Sequence, residues 1–190
     1  MGNIFRSNRR ARARRGMSLL EVLVSISVLV IGLAGFLQTI VTTSSMESTT
    51  SEHAAAAAAA RATLENMRST TFSEVFARYN AFADDDLPTG ASPGAFFAID
   101  GLREMPGAPA GQVGEIVMPV HPNTPGVLRE DLVAETLDLP ADLDLNADGD
   151  LIDVDNTLDY RLLPVVVRVR WESRRGPQVF ELRTILGELQ

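Results

Sequence analysis

Hydrophobic and polar positions divide this chain into stretches of different character. From Met17 to Val41 it reads MSLLEVLVSISVLVIGLAGFLQTIV, with Glu21 the one charge and Gln38 the one amide. A helix of that length crosses the roughly 30 Å hydrocarbon core of a bilayer. A soluble core helix is seldom apolar on every side. A secretory signal peptide would carry a small-residue cleavage site just after the run, and the Ala-rich segment 54–60 lies too far downstream. The pattern predicts a transmembrane helix over 17–41.

Beyond Val41 the sequence turns polar but stays helical in character. Ala54–Ala60 is an unbroken alanine run, the strongest helix former. Apolar residues at Ala57, Ala60, Leu64 and Met67, then Phe72, Val75, Phe76 and Tyr79, recur at helical spacing. One long helix is expected from about 18 to 68, with a break at Ser69-Thr70-Thr71 and further helix to about 79. Residues 42–79 then form an amphipathic stem, whose thin alanine surface suits packing against a sheet. His53 reads as an exposed helix residue.

Residues 80–190 read as a β head. DDDLPTGASPG, PGAPAG and HPNTPG mark loops, with short strands expected at Ala95–Ile99 and Gln112–Val120. Asp84-Asp85-Asp86 reads as an exposed acidic turn. The clearest β signal is at the end. Val165, Val167, Val169 and Trp171 fall on one face, with Val166, Arg168 and Arg170 on the other. A turn at 172–177 leads to Gln178–Leu186, where Phe180, Leu182, Thr184 and Leu186 share a face. This is a β-hairpin, and its Val/Trp face is expected to cover the alanine half of the stem. The fold class is therefore α+β: a long N-terminal helix packed on a small antiparallel sheet.

Charge sharpens the division. All 17 basic residues are Arg, and six of them (Arg6, Arg9, Arg10, Arg12, Arg14, Arg15) lie in residues 1–16, which hold no acid. After Gly16 there are 11 Arg against 25 acids, a formal −14. Arg before the apolar run and none directly after it predict a cytoplasmic N-terminus. The acidic balance argues against a nucleic-acid partner. The chain has no Cys and no Lys, which removes disulfides, thiolate metal sites, Schiff-base chemistry and a Walker A lysine. His53 and His121 stand alone. No nucleophile–base pair or phosphate loop is evident, and no enzyme activity is expected.

Glu21 remains unexplained by a plain anchor, since a carboxylate inside a membrane segment costs about 2.5–3.5 kcal/mol on insertion scales. Gly16-Met17-Ser18-Leu19-Leu20-Glu21-Val22-Leu23-Val24 resembles the cleavage and assembly motif of type IV prepilins and type II secretion pseudopilins. There a short basic leader ends in Gly, an N-methylated residue follows, and Glu is the fifth mature residue. Met17 departs from the commoner Phe. Ile31-Gly32-Leu33-Ala34-Gly35-Phe36-Leu37-Gln38 resembles the stems of minor pilins of the PilV type. The resemblance implies cleavage between Gly16 and Met17 by a prepilin peptidase, methylation of the new amine, and assembly with other pilins or pseudopilins. Residues 1–16 are then the leader, and the head lies outside the inner membrane before entering a pilus or pseudopilus. Glu21 would pair with the Met17 amine of a neighbouring subunit, since either charge alone is costly in an apolar surround. Gly32 and Gly35 suit either close helix contact or simple tolerance in a membrane helix. Ser25, Ser27 and Thr39 can bond back to helix carbonyls.

One further pattern carries ligand chemistry. Residues 144–155, DLNADGDLIDVD, match a twelve-residue calcium loop. Asp144, Asn146, Asp148 and Asp155 fall at the oxygen-ligand positions, Gly149 at the sharp turn, and Asp150 where a backbone carbonyl is used. Asp in the last position resembles dockerin-type loops. Asp142, Asp153 and Asp159 are further candidates. Ca2+ is the expected ion, fastening a head that has no disulfide. The competing reading is a solvated acidic loop.

Overall fold

The computed structural model describes residues 18–85, 93–151 and 155–188. They form two compact units, meeting in sequence between Ser44 and Ser45. Helix α1 runs Leu19–Ser69 and belongs to both.

The first unit is the start of α1. Its large apolar side chains, from Leu19 to Val41, are all exposed. The helix is long and apolar enough to cross a membrane, and none of its most apolar window is buried. Ser25, Ser27 and Thr39 donate to the carbonyls of Glu21, Leu23 and Gly35 at 2.7, 2.8 and 3.0 Å, so these hydroxyls are satisfied within the helix as expected.

In the second unit, α1 ends where hydroxyls compete for its carbonyls. Ser69 and Thr70 both donate to the Asn66 carbonyl, at 2.8 and 2.9 Å. Helix α2 follows at Phe72–Tyr79, so the break falls at the serine–threonine step that the sequence predicts. The next elements are β1 (Phe96–Phe97), β2 (Gly114–Val117), β3 (Val120–His121), β4 (Thr124–Leu128), α3 (Val133–Leu137), β5 (Leu162–Ser173) and β6 (Gly176–Gly187). Strands β1-β2-β5-β6 form one antiparallel sheet in that order, and β3-β4 form a separate hairpin. The expected strand at 112–120 is thus split between two sheets. The expected turn at 172–177 tightens to Arg174-Arg175, with Ser173 opposite Gly176.

The core lies between stem and sheet. Ala56, Ala60 and Met67 of α1 are fully buried, as are Leu163, Val165, Val167, Val169 and Trp171 of β5. Small alanines let the helix backbone approach the sheet, so the large side chains come from the strand. The buried position is Ala56, not Ala57 as the spacing suggested. Val166, on the opposite face with the arginines, is also fully buried. Helix α3 lies on that face: Arg183, opposite Val166 in register, donates to the Leu137 carbonyl at 3.3 Å. Beside it Glu181 accepts from Arg168 at 2.6 Å and from Arg183 at 2.8 Å, which holds its carboxyl below the usual range.

Candidate functional site

Gly16 and Met17, the expected processing residues, lie outside the described residues. The described residues begin at Ser18, which caps the helix. Its Oγ accepts from the Glu21 N–H at 3.4 Å, and its carbonyl accepts from Glu21 and Val22 at 3.0 and 3.2 Å. Ser18-Leu19-Leu20-Glu21 is the S-x-x-E spacing of a capping box. Glu21 thus stands in the first turn, where a carboxylate also meets the positive end of the helix dipole. The sequence reading missed this local role, which the spacing could have revealed. Glu21 is exposed, as is the apolar surface that follows it. A Cβ on Gly32 or Gly35 would touch nothing within 4 Å, so neither glycine answers a need inside one chain.

The second candidate is the acidic loop. Asp144 accepts the N–H groups of Ala147 and Gly149, at 2.5 and 2.9 Å. Asn146 Oδ1 accepts from the Asp148 N–H at 3.0 Å, and Asp148 Oδ1 from the Asp150 N–H at 2.8 Å. These are successive Asx turns, in which short side chains replace backbone partners. Gly149 has φ +93°, a conformation that needs glycine. The loop therefore turns at Gly149, and its side-chain oxygens accept from its own amides. Asp155 accepts from the Thr157 N–H at 3.1 Å, and Asp159 from the Asn146 amide at 3.2 Å. Asp142 accepts from the Ala134 N–H at 2.8 Å, at the start of α3. Asp150 accepts from the next N–H, that of Leu151, at 2.7 Å. Asp153 lies outside the described residues. Among the described residues no three acidic or histidine side chains gather closely enough to hold a metal.

Glu130 was missed. It is fully buried beneath the loop, and its Oε1 accepts the N–H groups of both Leu145 and Asn146. Leu145 is itself fully buried, and its carbonyl accepts from Arg161 and Leu162 at 2.7 and 3.0 Å. The loop's first turn is therefore pinned from inside on one glutamate and one leucine.

At the other end of the sheet, His53 is not the exposed residue the sequence suggested. Its ring meets Trp171 edge-on at 4.9 Å, and its Nε2 lies 3.3 Å from Gln178 Oε1.

With this geometry in view, the comparison with known families is informative. Residues 11–37 match the prokaryotic N-terminal methylation motif, the type IV pilin-like prepilin leader together with the first part of α1. No curated protein matches the chain, and no solved structure matches it. The matched leader and the apolar helix suggest membrane anchoring, and the long helix plus small antiparallel sheet is a pilin-like arrangement.

Proposed function

We propose that this chain is a minor pilin of the PilV type, a subunit that primes or enters a type IV pilus. A prepilin peptidase cuts between Gly16 and Met17 and methylates the Met17 amine. The peptidase performs the chemistry; this chain is substrate and building block, not an enzyme. Before assembly α1 holds it in the inner membrane, with the leader cytoplasmic and the head on the far side. The observation that carries the reading is the methylation motif over 11–37, running unbroken into an apolar helix exposed on all sides. Such a surface in a single chain calls for lipid first and for other helices later. Glu21 of one subunit pairs with the Met17 amine of the next and sets axial register, as one buried polar group does in a coiled coil.

N-terminal sequencing of the mature protein, in peptidase-positive and peptidase-null cells, tests processing. The expected mature start is Met17, seen only with the peptidase. Glu21→Ala is expected to be cleaved normally yet fail to enter filaments sheared from the cell surface. Recovery with a secretion-system filament in place of surface pili would assign the chain to the type II pseudopilins instead.

The same reading gives loop 144–155 a bound Ca2+, held by Asp144, Asn146, Asp148, Asp155 and the Asp150 carbonyl. Its support is the ligand spacing and the left-handed Gly149. Each carboxylate that accepts the loop's N–H groups keeps further lone pairs for a cation.

A further inference from the structure

The β5–β6 turn carries Arg174 and Arg175, both exposed. Its place within the second unit is fixed by contacts at the two ends of the hairpin. At the turn end, Trp171 Nε1–H donates to Glu52 and Gln178 meets His53. At the other end, Ile185, Leu186 and Gly187 share a cavity wall with Met67, Arg68 and Thr70. The hairpin therefore runs along α1 toward lower residue numbers, and its turn projects past Glu52 toward Ser45. Glu52 stands seven residues from Ser45, about 10 Å of helix. The turn reaches about 7–10 Å beyond Trp171, into the same interval.

Ser45 is where the chain leaves this unit, and Val41, the last residue of the apolar run, is four residues earlier. Four residues span at most about 14 Å. The arginine turn is thus at the end of this unit from which the chain continues into the apolar run. A headgroup layer adds about 5–8 Å on each side of that core.

Arg68, Arg78, Arg129, Arg168, Arg170 and Arg183 are engaged by acids of the same unit. Arg103 belongs to this same end: its carbonyl accepts the Glu172 N–H at 2.9 Å. No salt bridge among the described residues holds Arg103 or Arg174. The acids here are Glu47, Glu52 and Glu172. Glu52 already accepts from Ser173 and Trp171, while Arg174 and Arg175 stand at the outermost point of the hairpin.

We propose that the Arg174-Arg175 turn, assisted by Arg103, docks the head on anionic phospholipid headgroups while the subunit waits in the membrane. Guanidinium forks match phosphate oxygens in pairs. Each arginine held at an anionic surface raises the surface-bound fraction about fivefold. The inference rests on the membrane reading above.

The test uses the full chain in nanodiscs, at one subunit per disc. The chain has no cysteine, so Pro177→Cys, exposed beside the turn, takes a single fluorophore. Spin-labelled lipid headgroups quench it on contact. Quenching is expected to be several-fold stronger in phosphatidylglycerol-containing discs than in pure phosphatidylcholine. It should fall to the phosphatidylcholine level in Arg174→Glu/Arg175→Glu and in the milder Arg174→Gln/Arg175→Gln, and persist in Arg61→Glu. Equal quenching in both lipids, unchanged by the double variants, overturns the proposal and leaves the anchor intact. Quenching that needs two subunits per disc assigns the turn to a neighbouring head and also overturns it. Failure of the chain to enter discs at all would remove the membrane reading and this inference together.

Discussion

Glu52, on the stem helix, accepts the indole N–H of Trp171 at 3.0 Å, joining residues 119 positions apart in the chain. Trp171 is fully buried, so its one donor must find a partner inside the protein. Ser48 donates to the other Glu52 oxygen at 3.2 Å. Glu52→Ala leaves the buried indole N–H unpaired and should destabilise the head by about 1–3 kcal/mol. Glu52→Gln keeps an acceptor and should lose less. Urea unfolding followed by the fluorescence of this single tryptophan checks both.

The same contact predicts an acid limb. Hydrogen bonds from Ser173 and then Trp171 hold the Glu52 carboxyl below its ordinary value of 4.5. A group whose native pKa is depressed contributes stability above its unfolded value and loses it as pH falls through the native one. Melting temperature should therefore decline as pH drops below about 4.5, and Glu52→Gln should make that decline shallower. Glu181, lowered by Arg168 and then Arg183, adds to the same limb and remains in the variant.

Ala60 is fully buried, whereas Ala58 of the same run is exposed. Enlarging a side chain in a packed interface costs about 1–3 kcal/mol. Ala60→Leu should lower stability by that amount, and Ala58→Leu should stay within about 0.5 kcal/mol of the parent. Chemical denaturation of the pair separates a helix chosen for thinness from one chosen only for helix propensity.

Tyr160 fastens the break between the two stem helices. Its hydroxyl donates to the Phe72 carbonyl at 2.7 Å and accepts from the Phe76 N–H at 3.4 Å, while its ring lies 5.0 Å from that of Phe72. Tyr160→Phe should cost about 1 kcal/mol. Burial raises the phenol above its ordinary value of 10.0. The raised native pKa means stability is fully present below about 10 and is lost as pH climbs through the higher native value. Thermal melts across that range should show an alkaline decline that Tyr160→Phe reduces.

Much of this architecture was legible because long elements repeat their pattern many times. The apolar run, the alanine stem, the break at 69–71 and the alternation of β5 and β6 each announce themselves through periodicity. Helix α3 has five residues and β4 has five, too few turns or alternations to signal anything. Without α3, Val166 reads as a residue on the same strand face as Arg168 and Arg170, and its burial could not be foreseen. Glu130 hid for a related reason. An acid in a polar stretch reads as exposed unless one knows which backbone amides point at it. His53 was misplaced because its partners, Trp171 and Gln178, come from the far end of the chain. The Ser18–Glu21 capping spacing, by contrast, was in plain view and overshadowed by the cleavage pattern around it. In the acidic loop the turn at Gly149 was legible, but spacing alone could not say whether oxygens point at an ion or at neighbouring N–H groups.

That last distinction is open to a direct experiment. If the loop takes Ca2+, the bound form gains stability by mass action. The melting temperature of the head transition should rise with added Ca2+, fall back with EDTA, and cease to respond in Asp144→Asn/Asp148→Asn. An identical melting temperature with Ca2+ and with EDTA would leave the loop as a self-bonded acidic turn. Glu130 supplies a comparison, because it acts beneath the loop through the Leu145 and Asn146 amides. Charged hydrogen bonds are each worth about 1.5–3 kcal/mol, so Glu130→Ala should lower stability by at least that much with or without Ca2+. Glu130→Gln, which retains an oxygen for the Leu145 and Asn146 amides, should recover part of the loss. Limited proteolysis within 144–155 should accelerate in Glu130→Ala before the sheet itself unfolds, since that residue ties the loop's first turn to the core.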